Sequence, residues 1–172
     1  MKFIMIIKDN IDIAHQMEKE IFPHYDAYNN YLDTFKKDSN NDFWIIEVDN
    51  TYVGIAGLYS FKKYPEDAWL GWFRLLKPYR NKGYGSLALK MFEEKARKRS
   101  FKYARLFTNR YDNDDVKRFY EKHGYTEEYY ELESEPASLI YPISIYSKSL
   151  IEGETVPKWN NKDIHFTKQV RK

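Results

Sequence analysis

Between Trp72 and Ser86 the chain changes its period. Ala68 to about Leu76 reads as an extended strand, whereas from about Gly85 to Arg99 the apolar residues recur at helical spacing. The junction is Arg80-Asn81-Lys82-Gly83-Tyr84-Gly85-Ser86, with two glycines and two cations. Without Cβ atoms at Gly83 and Gly85, the backbone can turn tightly and direct successive N–H groups at an anion on the positive end of the helix. The frame is not that of the nucleotide P-loop, because no lysine and hydroxyl follow a G-x-x-x-x-G run, and the three glycines of the dinucleotide fingerprint are missing. Two glycines can also make nothing more than a strand-to-helix turn, so the segment needs a second signal.

The flanking pattern alternates in the same way. Met1 to Ile7 reads as a first strand, and Asn10 or Asp12 can cap a helix to about Ile21, which Pro23 stops. Tyr25 to about Lys37 reads as a second helix. Phe43–Val48 and Tyr52–Tyr59, joined by Asp49-Asn50, predict an antiparallel hairpin, and a loop is expected around Pro65. In the helix after Gly83, Leu87, Ala88, Met91, Phe92 and Ala96 form the expected apolar stripe, with Glu93 among the covering charges. Tyr103–Thr108 predicts a strand and Asn113–His123 a short helix ended by Gly124. Tyr125 to about Leu132 and Ile140 to about Leu150 predict a last antiparallel pair. Beyond Glu152 the expectation is an irregular arm pinned by Trp159 or Phe166.

Composition narrows the function classes. In 172 residues, 28 Lys+Arg oppose 26 Asp+Glu for a net charge of +2, so neither nucleic acid nor an anionic membrane is the default partner. With no cysteine, thiolate catalysis, disulfides and cysteine-held metals are excluded, and a reducing, cytoplasmic setting is the expectation. The four histidines show no metal-ligand spacing, and no metal is expected. No apolar run reaches the roughly 20 residues that span a bilayer.

The second signal lies about thirty residues beyond the first. Asn113-x-x-Val116-x-x-x-Tyr120-x-x-x-Gly124-Tyr125 joins strand to helix to strand, with Asn113 able to cap, Val116, Phe119 and Tyr120 on one face, and Gly124 allowing a sharp exit. Together, Arg80-x-x-Gly83-x-Gly85 and this run resemble the two signature motifs of GNAT-family N-acetyltransferases. The specific likeness lies between Trp72 and Tyr125, and the element order from Phe3 to Leu150 agrees with it. Relatives often carry proline where Lys77 stands; here Pro78 comes one residue later.

The resemblance implies an α/β (mixed α+β) GNAT fold: a mostly antiparallel, twisted sheet of about six to seven strands, splayed between strands 4 and 5, with about four helices. It implies one acetyltransferase domain over residues 1–150 and an arm over 151–172. It further implies an acyltransferase that takes acetyl-CoA as cosubstrate, with a small-molecule or peptide amine as acceptor and a homodimer by family habit. Leu75 and Leu76 would present main chain to the pantetheine arm. Lys82, Gly83, Tyr84, Gly85 and Ser86 would hold the pyrophosphate with Arg80, and Asn113 and Tyr120 would lie on the cofactor side. Tyr120 would protonate the departing thiolate as general acid; ordinary core packing is its other reading. Glu47, Glu66, Asp67 and Glu131 are the available carboxylates for a base, each read first as solvated surface. His123 reads as a helix-end cation or cap. A CoA-binding sensor or subunit without catalysis on the same fold, and a nucleotide-binding module, are the competing functions; acceptor, acyl length and oligomeric state are left open.

Overall fold

The structure is a computed structural model that describes residues 1–23, 26–36, 39–109, 114–130 and 143–159. The chain divides into two compact units, Met1–Phe101 and Lys102–Lys172. In the first, β1 (Lys2–Met5), α1 (Ile11–Ile21) and α2 (Tyr28–Asp33) precede β2 (Asp42–Val48), β3 (Thr51–Phe61), β4 (Tyr64–Leu75) and α3 (Tyr84–Lys98). Its four strands run antiparallel in the order β1-β2-β3-β4.

Both faces of this sheet are covered, and β2 shows the consequence. Phe43, Trp44, Ile45 and Ile46 are all buried, a continuous apolar run rather than an alternating one. Phe43 and Ile45 face the core with Ile11, Ala14, Met17 and Ile21 of α1 and Tyr31 of α2. On the opposite face, Lys95 of α3 lies over Trp44, 4.9 Å from the ring centre. The stripe that α3 buries is Ala88, Leu89, Phe92, Glu93 and Ala96. Leu87, expected inside, is 52% exposed, because the buried arc is rotated one residue toward the C-terminus. Arg99, just past α3, donates to Asp42 Oδ2 at 2.8 Å and to the Asn40 carbonyl at 3.2 Å, tying the helix end to the start of β2.

Several expected boundaries shift for physical reasons. Asp49 and Asn50 both take positive φ, 50° and 60°, as a two-residue hairpin turn demands. The β3–β4 connection is equally tight, so β4 begins at Tyr64 and Pro65 lies within the strand rather than in a loop. The second helix is shorter than expected, with residues 34–36 already in a turn. Asn10 precedes α1 but does not cap it with its side chain; it accepts from the Ile7 N–H at 2.8 Å and donates to the Met5 carbonyl at 2.9 Å.

The second unit holds β5 (Tyr103–Asn109), α4 (Asp114–Lys122), β6 (Thr126–Tyr130) and β7 (Ile143–Ser149). β7 lies between β5 and β6 and is antiparallel to both. Beyond β7 the described residues 150–159 have no regular structure, yet Trp159 is 5% exposed and its backbone N–H donates to Glu128 Oε2 at 2.8 Å. Arg105, 2% exposed, donates to Ser147 Oγ at 2.7 Å and to the Pro157 carbonyl at 3.0 Å, with its guanidinium over the Trp159 ring. Asn113, Glu131 and Phe166, for which the sequence raised expectations, lie outside the described residues. Among those residues no helix is long and apolar enough to cross a membrane.

Candidate active site

The first group of candidate residues begins inside β4. Ile55 pairs with Arg74 but Gly57 pairs with Gly71, so β4 carries one residue more than β3 over that stretch. Trp72, within the bulge, has φ +51°. A bulge lifts one residue out of the ladder and re-aims the strand beyond it. Past the bulge, the Leu76 N–H donates to the Val53 carbonyl at 2.8 Å. Because N–H direction alternates along a strand, the Leu75 N–H points away from β3. The Leu75 carbonyl accepts Arg80 Nε at 2.9 Å. Of the two leucines expected to present main chain, Leu75 therefore has its amide turned outward, and Leu76 has its amide engaged in the sheet.

The turn itself is made by backbone conformation. Lys77–Tyr79 form one turn of 3-10 helix, with Pro78 at its start. Asn81 then takes φ +59° and Gly83 φ +81°, and α3 begins at Tyr84. A Cβ at Gly83 would meet nothing within 4 Å, so its left-handed φ, rather than crowding, accounts for the glycine. No side chain caps α3, and its first turn holds no acidic residue. The orphan N–H groups of Tyr84, Gly85 and Ser86 therefore keep the positive end of the helix dipole without an internal counter-charge. Arg80 and Lys82 add to the same sign. Burial and then the neighbouring Arg74 guanidinium both push the Arg80 pKa down, so an anion beside it would relieve an existing cost.

A second group of candidate residues lies in the other unit. Tyr120, on the buried face of α4, packs against Tyr125 and Tyr146 with ring centres 5.7 Å and 5.2 Å away. Gly124, at φ +82°, ends the helix, and the Tyr125 N–H returns to the Tyr120 carbonyl at 3.1 Å. Burial, then the nearby Tyr146 phenol, pushes the Tyr120 pKa up and keeps its proton on at neutral pH. His123 Nδ1 lies 2.7 Å from the Phe119 carbonyl, a helix-end contact as expected.

Behind Tyr120 is a network absent from the sequence reading. Glu127 Oε1 accepts Ser144 Oγ at 2.6 Å and the Tyr146 hydroxyl at 3.3 Å, and Glu127 Oε2 meets Lys117 Nζ at 2.8 Å. Desolvation pushes the Glu127 carboxyl up, but the bonds from Lys117, Ser144 and Tyr146 together with the Lys117 charge outweigh it, and the net shift is downward. Strand alternation gave the only clue, since Ser144 and Tyr146 share one face of β7. Of the carboxylates considered as bases, Asp67 is buried at 6% exposure, against the surface expectation, whereas Glu66 is exposed and Glu47 pairs with Lys2 at 3.4 Å.

Residues 8–125 match the sequence pattern of the Acetyltransferase (GNAT) family. The chain belongs to that family, which makes it an acyltransferase by class. It is 31% identical over 121 residues to the uncharacterized N-acetyltransferase YdgE of Bacillus subtilis (strain 168), covering 69% of this chain and 76% of that protein. Two solved structures show that the fold, too, is that of the family. The spermidine/spermine N-acetyltransferase SpeG from Vibrio cholerae superposes with a TM-score of 0.68 at 11% identity, over 87% of this chain and 92% of that one. RimL, an alpha-N-protein acetyltransferase acting on a ribosomal protein and solved with coenzyme A, gives 0.66 at 11% identity, over 86% and 92%.

Proposed function

We propose that the protein is an acetyl-CoA-dependent N-acetyltransferase that passes an acetyl group to a primary amine of a small molecule or peptide. The observation that carries this reading is the start of α3: a helix entered through Gly83 at φ +81°, uncapped, free of acid in its first turn and preceded by Arg80 and Lys82. N–H groups from Lys82 to Ser86 would hold the pyrophosphate, in the manner of an anion at a helix N-terminus. The outward Leu75 N–H is the main-chain donor for pantetheine or for the oxyanion that develops on the thioester carbonyl. Leu76 would contribute its carbonyl, since its amide is engaged.

Transfer needs no covalent enzyme intermediate. The neutral amine adds its lone pair to the thioester carbon, the C–S bond breaks as the carbonyl reforms, and the amine proton leaves through water. Tyr120 supplies the proton that the departing thiolate takes up. A cysteine-free chain suits the reducing cytoplasm where acetyl-CoA and free amines coexist.

A panel of primary amines assayed for release of free CoA tests the reading directly. Release that depends on both acetyl-CoA and an amine is expected. Acetyl-CoA binding without release by any amine would leave a CoA-binding subunit, and no binding at all would overturn the assignment.

A further inference from the structure

The first unit holds a second group of chemistry-bearing side chains, with no part in the acyl-transfer reading. His15 and Glu18 are three residues apart on α1 and share a face, and the chain reversal after α1 brings Asp26 back to them. His15 Nδ1 lies 3.2 Å from Glu18 Oε2 and 4.0 Å from Asp26 Oδ1, and the three ligand atoms all lie within 4.8 Å of one another. We propose that His15, Glu18 and Asp26 bind one divalent transition-metal ion, of which zinc is the type.

The donor spacing fits. Four ligands at the usual Zn–N and Zn–O lengths of about 2.0–2.1 Å stand about 3.3 Å apart along a tetrahedral edge. The His15–Glu18 separation already matches that edge, and Asp26 needs to move by up to about 1.5 Å to do so. Its side chain is 59% exposed and has room to move.

An independent sign comes from two orphaned atoms. Glu18 is fully buried, yet its Oε1 has no hydrogen-bond partner, and neither does the hydroxyl of the equally buried Tyr31. Tyr31 senses both carboxylates: burial, then the charges of Glu18 and Asp26, push its phenol up. A buried carboxylate oxygen without a partner is costly, and an ion that took Glu18 through both of its oxygens would remove that cost. The local charge has the right sign as well. Among the described residues no lysine or arginine lies within ion-pair distance of Glu18 or Asp26.

The surroundings hold the donors in place, as a metal site requires. The Tyr28 ring packs edge-on against His15 at 4.9 Å, and the Tyr28 N–H donates to Asp26 Oδ1 at 2.9 Å. One imidazole nitrogen with two carboxylates suits zinc and its first-row neighbours, whereas calcium and magnesium favour oxygen alone. Three protein ligands leave a fourth position for water.

The test uses the full chain after treatment with a chelator, titrated calorimetrically with zinc chloride and, separately, with magnesium chloride. One equivalent of zinc should bind, with magnesium at least about a hundredfold weaker. Asp26→Asn and His15→Gln should each weaken zinc at least about tenfold while circular dichroism shows an unchanged fold. Cobalt substitution should give visible absorption bands in the wild type that both variants lose. Zinc binding of equal strength in wild type and variants would place the ion elsewhere and overturn the proposal. So would the absence of binding, which would leave a water between Glu18 and Tyr31 as the account of the orphaned atoms. Acetyl transfer is not read in any arm, so the outcome is independent of the proposed activity.

Discussion

At residues 80–86 the molecule presents main chain: positive φ at Asn81 and Gly83, an uncapped helix and no acid in its first turn. Around Tyr120 it presents side chains: three tyrosine rings in contact, and behind them a carboxylate with partners on both oxygens. On the proposed reading the first arrangement would recognise charge, and would tolerate changes of side chain better than losses of backbone freedom. The second depends on particular atoms and tolerates almost none. A family that conserves cofactor chemistry while changing acceptors is well served by a binding element made from backbone, since its geometry survives substitution.

The sharpest way to break this contrast is to remove a single atom at the side-chain end. Tyr120→Phe keeps the ring packing and removes the proposed proton donor, so on that proposal kcat at pH 7 should fall about a hundredfold while the acetyl-CoA KM stays within about twofold. Equal turnover in the two proteins would return Tyr120 to the core. At the main-chain end, Gly85→Val puts a branched side chain in the first turn of α3, where the pyrophosphate is proposed to bind. It should weaken acetyl-CoA about tenfold or more by calorimetry, the equivalent of losing one charge-assisted hydrogen bond. Unchanged affinity would show that the pyrophosphate lies elsewhere.

A smaller effect is expected from Glu127→Gln, read by denaturant unfolding. The variant should be about 1 kcal/mol less stable at pH 7. The folded-state pKa of Glu127 is lowered, so its contribution is fully present above the unfolded value of about 4.3 and is lost as pH falls through the folded one. The gap between the two proteins should therefore be present at neutral pH and close as the pH falls through the lowered folded value. A gap independent of pH would remove the charge from the account. The smallest effect belongs to Ser86→Ala, whose acetyl-CoA KM should change by less than about twofold if backbone N–H groups alone do the binding.

Features set by local conformation were legible in the sequence. The Asp49-Asn50 turn, the glycine at the start of α3 and Gly124 at the end of α4 each state a backbone need that few residues meet, and each was found at its expected place. What was not legible depends on partners far along the chain. Leu87 was assigned to the core by periodicity, but which arc of a helix is buried is decided by the sheet beneath it. The bulge at Trp72 follows from strand pairing, and nothing in Trp72-Phe73 announces it. Glu127 meets Ser144 across 17 residues, and Asp26 meets His15 across a chain reversal, so neither grouping exists until the chain has folded. His-x-x-Glu on α1 was the one local hint of the second grouping, and a lone pair of that kind is too common to read.

The irregular stretch after β7 bears on where this chain can be cut. Ending it at residue 150, where the last predicted strand stops, would take the Pro157 carbonyl and the Trp159 ring face from the deeply buried Arg105 guanidinium, and the Trp159 N–H from Glu128. The shortest fragment that keeps those bonds runs to Trp159. A tag or fusion partner joined sooner would disturb the interior of the second unit rather than decorate its surface.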